Sequence, residues 1–331
     1  MSLRKVSVSW QEIGEENAGQ RVDNYLLATL KGVPKSHVYR ILRSGEVRVN
    51  SARVQATYRL QAGDRVRIPP YHGTAPALES PLQAPRHFAR NRMGATILFE
   101  DEALLVLNKP AGWAVHGGSG IQLGVIEQLR LERPQSKFLE LVHRLDRETS
   151  GLLLVAKKRQ ALRLLHEQMR AGGLDKRYLA LAQGAFPAGH QRVTLDLYKF
   201  LNAQGERRVQ VQAGGKPAET IFNPLQAYPG ATLVQARLVT GRTHQIRVHL
   251  AHLGHPIAGD DKYGDFAWNK TLQTLGLKRM FLHAQSLRLR HPLLDTPLEL
   301  HAPLPPPLED FLQRLARGTL GSSLPLTSSF T

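Results

Sequence analysis

The 331-residue chain contains no cysteine. A disulfide framework and thiolate zinc sites are therefore excluded, and a reducing compartment suits the protein. No uncharged apolar run approaches the ~20 residues that a membrane-spanning helix needs. The opening residues, which include Arg4, Lys5 and Glu12, hold no apolar core of the signal-peptide kind. There is no G-x-S-x-G elbow, dinucleotide fingerprint or P-loop, which removes the usual signs of esterase, redox and phosphate-donor chemistry. Acid is also short: 27 Asp and Glu stand against 44 Lys and Arg, for a net charge of +17. With no membrane signal to absorb it, an excess of that size points to a nucleic-acid partner in the cytoplasm.

The chain is long enough for one large domain or two. Residues 18–70 read as a small α/β unit. Val22, Tyr25, Leu26 and Leu30 recur at helical spacing, and a second helix puts Val38, Ile41 and Leu42 on one side, with Ser36 as its expected N-cap. Gly45 stops that helix, and Val47–Asn50 and Arg65–Ile68 read as strands. Between Lys31 and Arg67 lie nine basic residues and two acids, Glu46 and Asp64. Clustering on so small a unit favours a surface that tracks phosphates, with Lys35, Arg40, Arg43 and Arg48 as candidates. Residues 71–94, rich in Pro, Ala and Arg, read as a linker. Residues 95–315 alternate many short strands with a few helices, which gives an α+β domain whose sheet is mixed or largely antiparallel. Residues 316–331 read as a flexible tail.

Within the larger domain, Leu139–Ala156 runs from an apolar segment through a dense polar turn and out past Gly151 into an apolar strand. Asp146 sits at the centre of the turn between Arg144 and Arg147. Burial alone raises a carboxyl pKa, whereas a guanidinium nearby lowers it by about 1–3 units. Such a turn holds a sheltered carboxylate ionised, as a nucleophile or base requires. Equally, Asp146 is the residue type of an ordinary Asx turn with solvated arginines beside it. Downstream, Ala231–Thr240 reads as a strand, and Arg242–Leu250 as a helix capped by Thr243, with Ile246, Leu250 and Leu253 as its apolar stripe. Arg247 lies beside that stripe, where it reaches inward. His249, His252 and His255 are spaced by threes, which raises a metal centre as a reading. The missing thiolates, the absence of H-E-x-x-H and the helix-ending Gly254 weigh against it.

His143–Gly151 resembles the H-R-L-D-R-x-T-S-G signature of RNA pseudouridine synthases of the large-subunit type. Asn108–Gly112, Lys176-Arg177-Tyr178, Gly241–Arg247, Asp261–Gly264 and Leu282–Ala284 follow in that family's order, and residues 18–70 resemble the RNA-binding domain named after ribosomal protein S-four. Glu148 and Met280 depart from the pattern, where Asp and Leu are expected. The resemblance implies a catalytic domain with a mixed, largely antiparallel sheet and flanking helices. It implies Asp146 as the catalytic aspartate, acting on the sugar or the base, Arg247 as its partner, Tyr178 stacked on the uracil and assisting proton removal from the rejoined carbon, and Leu282 closing the pocket. It implies RNA contacts from Arg144, Arg242 and His244, with Arg144 either filling the space of an everted uridine or holding a phosphate. It further implies a monomer without cofactor or metal that acts on large-subunit ribosomal RNA or a pre-ribosomal particle. The rival readings are a pseudouridine synthase acting on a different RNA site and a non-catalytic RNA-binding ribosome-assembly factor on the same scaffold.

Overall fold

The computed structural model describes residues 8–14, 17–30, 33–71, 95–117, 123–203 and 205–317. The expected linker and tail, and Gly118-Ser119-Gly120 of a glycine-rich loop, fall almost wholly outside these. In the N-terminal unit, β1 (Ser9–Glu12), α1 (Val22–Thr29), α2 (Lys35–Arg43), β2 (Arg48–Val49) and β3 (Arg65–Ile68) build an antiparallel sheet of order β1-β3-β2. The sheet begins ahead of the expected boundary at residue 18: Ser9–Glu12 pairs with Arg65–Ile68. A strand spelled Ser-Trp-Gln-Glu has no apolar alternation to reveal it.

Val22, Leu26, Val38, Ile41 and Val66 close the core of this unit. Asp23, itself buried, accepts from Arg21, from the Asn24 amide and from the Tyr39 hydroxyl, which ties α1 to α2. The second helix starts one residue before Ser36, with Pro34 in the cap position. Proline's fixed φ orients the chain for the first turn, and the serine hydroxyl is not needed.

The larger domain holds β4 (Thr96–Glu100), β5 (Leu104–Lys109), α3 (Val125–Glu132), β6 (Glu140–Leu141), β7 (Ser150–Ala156), α4 (Arg159–Arg170), β8 (Asp175–Gln183), β9 (Gln191–Leu201), β10 (Arg207–Val211), β11 (Lys216–Tyr228), β12 (Ala231–Leu238), α5 (Gln245–His252), α6 (Phe266–Thr274), β13 (Leu282–Arg290), β14 (Pro297–His301) and α7 (Pro306–Ala316). Its 11-stranded sheet runs β10-β9-β11-β12-β8-β13-β7-β5-β4, with β14 beside β13 and β6 beside β7. Among the described pairs only β13 with β7 is parallel. The mixed, largely antiparallel sheet is thus as expected, although β9 and β11, at 11 and 13 residues, are longer than the sequence suggested.

Strand side chains alternate between faces, and β8 uses both. Tyr178, Ala180 and Ala182 join a core to which α3, α4 and α5 contribute, whereas Leu179 and Leu181 join one built with α6 and α7. The helix α5 differs from the sequence reading. It starts at Gln245, and His244, in the left-handed region at φ +55°, takes the cap position in place of Thr243. Leu253 is exposed, and every residue from Gln245 to Leu250 is buried, including Gln245, Arg247 and His249. A helix buried on all sides carries no apolar stripe, so periodicity misplaced its inner face.

Gly151 fixes the crossing of β7 and β13. Its φ is +108°, and a Cβ there would lie 2.2 Å from the Ala284 carbonyl oxygen, where the two strands pair. Gly151→Ala is expected to lose at least about 1–2 kcal/mol from the left-handed backbone alone, with the clash added. The urea midpoint checks this; an unchanged midpoint contradicts it.

Candidate active site

Two walls meet at Asp146. The first is the turn between β6 and β7, which rests on a buried lysine. Lys109, at the end of β5 and fully buried, donates to the carbonyls of Pro110 (2.8 Å), Trp113 (2.9 Å) and Arg147 (3.1 Å). All three ammonium hydrogens are so engaged. Gly112 and Arg147 also bond each other twice: the Gly112 amide donates to the Arg147 carbonyl, and Arg147 Nε to the Gly112 carbonyl. Asn108–Gly112 is therefore the seat of the aspartate turn. Burial, with the Arg279 charge adding, pulls the Lys109 ammonium down to about 7, against the upward pull of Glu148 and Asp146. Arg279 braces the far side, donating to the Glu148 carbonyl (3.1 Å) and Ser150 Oγ (2.9 Å).

The second wall is α5 and the loop behind it. Arg247, only 4% exposed, is gripped by Asp260 through two bonds, Nε to Oδ2 at 2.7 Å and a terminal nitrogen to Oδ1 at 2.6 Å. It also reaches Asp146 at 3.4 Å and Asp261 at 3.3 Å, and its guanidinium lies 5.1 Å from the centre of the Tyr263 ring. Burial alone would lower the Arg247 pKa; the hydrogen bonds and charge of Asp260, followed by the charges of Asp146 and Asp261, drive it higher instead. Asp260 is held by the Lys262 and Tyr263 amides as well. Burial opposes its ionisation, but Arg247 and those amides keep its pKa below the ordinary value. Gly259, at φ +74°, delivers it: a Cβ there would sit 2.4 Å from the Arg279 carbonyl oxygen.

A cavity of about 200 Å³ opens between the walls, lined by Arg144, Asp146, Lys176, Tyr178, Arg242, His244, Arg247 and Leu282 among others. It falls below the ~300–1,000 Å³ of drug-sized sites, a volume suited to one flat ring. Asp146 is half-buried at 16% and Tyr178 and Leu282 are buried. Burial first, then the negative Asp146, push the Tyr178 phenol well above its usual range, so it stays protonated. His244 bonds the Tyr263 hydroxyl at 2.7 Å and lies 3.8 Å from Asp146. Burial lowers its pKa against the pull of Asp146. The structure thus gathers Asp146, Tyr178, Arg247, Leu282, Arg144, Arg242 and His244 in one place. Lys35, Arg40, Arg43 and Arg48 do not join them: they are exposed on the N-terminal unit, along α2 and β2.

Sequence reasoning missed Asp260 and Lys109. It took Asp261, the more exposed of the adjacent pair at 70%, as part of the motif, whereas Asp260, with a side chain 1% exposed, holds the guanidinium. The preceding Gly259 was the available signal. Of the threefold-spaced histidines, His249 is buried with both ring nitrogens unpartnered and His255 bonds the Gln183 carbonyl. No group of three or more potential ligands converges among the described residues.

A mixed sheet with a carboxylate and a buried guanidinium facing a ring-sized cleft, joined to a basic S-four-type unit, defines an RNA-modifying enzyme. Residues 103–252 match the family model described as RNA pseudouridylate synthase, and residues 20–66 match the S4 domain. The chain belongs to the RNA pseudouridylate synthase family and is an isomerase of that kind. It is 54% identical over 312 residues to Ribosomal large subunit pseudouridine synthase C of Pasteurella multocida (strain Pm70), covering 93% of this chain and 94% of that one. To the protein of the same name in Escherichia coli (strain K12) it is 50% identical over 317 residues, covering 95% and 99%. Among solved structures, Human RNA Pseudouridylate Synthase Domain Containing 4 matches with a TM-score of 0.55 at 29% identity, covering 66% of this chain and 92% of its own.

Asp260→Asn keeps the shape but strips the buried guanidinium of its main anion. Removing one partner of such a pair costs about 3–5 kcal/mol. Turnover is expected to fall more than RNA affinity; equal losses in both, or none, contradict the role. A second expectation concerns acid. Burial holds the His249 and His283 imidazoles down to about 4, so the unfolded chain takes up protons first as pH falls from about 6.5. Stability is whole above that pH and drains between it and about 4, by up to about 3 kcal/mol per ring. Urea midpoints should drop across this window and drop less in His249→Leu, which loses no hydrogen bond; parallel curves contradict the assignment.

Proposed function

We propose that the protein isomerises uridines in large-subunit (23S) ribosomal RNA, with Asp146 as the catalytic carboxylate. The observation that carries the reading is the placement of Asp146: it faces a ring-sized cavity walled by Tyr178 and Leu282, while Arg247 grips it from behind. Conversion to pseudouridine breaks the bond from ring nitrogen to sugar, turns the uracil and joins a ring carbon to the same sugar carbon. The proton lost from that carbon is matched by one gained at the freed nitrogen, so the composition is unchanged and no redox partner or phosphate donor is consumed.

Arg247, 3.4 Å from the Asp146 carboxylate, aims it at the reacting nucleotide. Tyr178, held protonated, serves as a ring that stacks on the uracil rather than as a phenolate base. Leu282 closes the apolar side. A stacked uridine reaches such a cavity only by eversion, at a cost of a few kcal/mol. Arg144, exposed at the mouth, suits the vacated space because its planar guanidinium both stacks on bases and bonds phosphates. Arg242 and His244 flank the entrance. The exposed Lys35, Arg40, Arg43 and Arg48 supply a separate, sequence-tolerant hold on phosphates. The reading extends to a monomer in the cytoplasm that meets its target as free RNA or within a pre-ribosomal particle. The high identity to the named synthases favours the ribosomal target. The complete set of Asp146, Tyr178 and Arg247 disfavours an assembly factor that needs none of them.

Asp146→Asn protein is expected to bind ribosomal RNA with near-normal affinity. Its rate should fall at least about a thousand-fold, read as loss of carbodiimide-dependent reverse-transcription stops. Retained isomerisation would refute the assignment. Mapping pseudouridine in the ribosomal RNA of a deletion strain identifies the target: sites lost from the large subunit support the proposal, and an unchanged map contradicts it.

A further inference from the structure

Most of the charged and polar groups around the cavity are already engaged. Arg247 is shared among Asp260, Asp146 and Asp261. Arg242 Nε donates to the Pro217 carbonyl at 3.0 Å, and His244 is bonded to Tyr263. Gln245 donates to the Glu219 carbonyl and Thr220 Oγ, and its oxygen accepts from the Arg242 amide and Thr240. The His143 ring accepts the Leu154 amide. Two cations on the cavity have no hydrogen-bond or ion-pair partner among the described residues, Arg144 and Lys176; Arg144 is exposed at the mouth, whereas Lys176 is half-buried.

The position of Lys176 is set by the sheet. It lies two residues before Tyr178 on β8, so both project to the same face, and both line the cavity. Arg177, between them, points the other way and is bound by Asp175. Lys176 is half-buried, and burial alone accounts for the lowering of its pKa; no carboxylate acts on it in the opposite direction. Among the described residues no carboxylate, Asp146 included, lies within ion-pair distance of the ammonium. Opposite the nitrogen stands Gly241, where a Cβ would lie 3.4 Å from Nζ.

We propose that Lys176 is a substrate-binding residue whose ammonium pairs with a phosphate of the nucleotide drawn into the cavity. A partly desolvated cation without an anion is costly, and the backbone phosphate is the anion the substrate brings, whereas uracil is neutral. The rim is arranged for the same charge. Lys199 on β9 is near enough to Arg144, Lys216, Arg207 and Arg242 that, after burial, their charges lower its pKa. Lys176, half-buried on the cavity, is more enclosed than Arg144 and Arg242, which are exposed. The phosphate pairing holds the everted nucleotide in the cavity without occupying Asp146, which stays free for the glycosidic bond. This inference rests on the isomerase reading above.

The test uses full-length protein and an unmodified large-subunit ribosomal RNA transcript. Lys176→Met should raise the half-saturating RNA concentration about ten-fold or more, the worth of a hydrogen bond to a charged group. It should leave turnover of the saturated complex nearly unchanged, as loss of uniform binding does. The slope of log affinity against log salt should shrink by about 0.7, one phosphate on a single strand. Lys176→Arg should restore the slope. A general structural defect would leave the salt slope untouched. If the methionine variant does not fold, Lys176→Gln against Lys176→Arg reads the same slope. An unchanged slope overturns the proposal. Weaker binding with an unchanged slope also overturns it, by assigning the ammonium to a neutral carbonyl of the base. A wild-type protein that makes no pseudouridine defeats the isomerase reading instead.

Discussion

Arg247 is shared unequally among three carboxylates, and the site depends on that inequality. Asp260 takes two of its nitrogens at 2.6 and 2.7 Å, whereas Asp146 meets a third at 3.4 Å. A buried guanidinium is tolerated only when its charge is met and its donors are filled. Asp260 does both from behind, with its Oδ1 also accepting from two backbone amides. Asp146 therefore need not satisfy the arginine and keeps most of its lone pairs for the cavity. Three equal contacts would have left a closed salt bridge with nothing to offer a substrate.

The opposite wall solves a related problem with backbone. Lys109 and Arg279 lie beneath the aspartate turn, and each is met chiefly by carbonyl oxygens. Carbonyl acceptors satisfy the donors without supplying a counter-charge, so the Arg279 charge still reaches the turn, while Lys109, its pKa pulled down to about 7, serves as a hydrogen-bond donor. These bonds also tie Pro110 and Trp113 to Arg147 and hold Glu148 in place, which positions a side chain more reliably than surface ion pairs do. The parallel pairing of β7 with β13 joins the two walls, because β7 carries the turn at its start and β13 carries Leu282 at its own.

The parts that were legible in the sequence are those where one rule governs one segment. The apolar run of β7, the helical spacing of Val38, Ile41 and Leu42 and the basic face of α2 each followed from local pattern. The cluster of Asp146, Tyr178, Arg247 and Leu282 was reached only through the order of its motifs, since residues 101 positions apart in one pair cannot be joined by spacing. Three features escaped for physical reasons. The polar strand β1 has no alternation because it pairs at a sheet edge. The cap of α5 uses backbone geometry at His244 instead of a hydroxyl. Between Asp260 and Asp261, composition is identical and only burial decides, and burial belongs to the tertiary fold. Lys109 was quoted within a motif, but no sequence rule distinguishes a lysine that holds three carbonyls from one in solvent.

RNA enters this account as the missing polyanion for a strongly basic chain, held loosely by the small N-terminal unit and specifically by one cavity. The most direct test is a structure of Asp146→Asn protein bound to target ribosomal RNA, in which the substituted side chain allows binding but not reaction. The account requires an everted uridine in the cavity, with its glycosidic bond facing residue 146, its ring on Tyr178 and Arg247 still clamped by Asp260. A uridine left stacked in the RNA, or a cavity empty while RNA lies elsewhere on the domain, would contradict it.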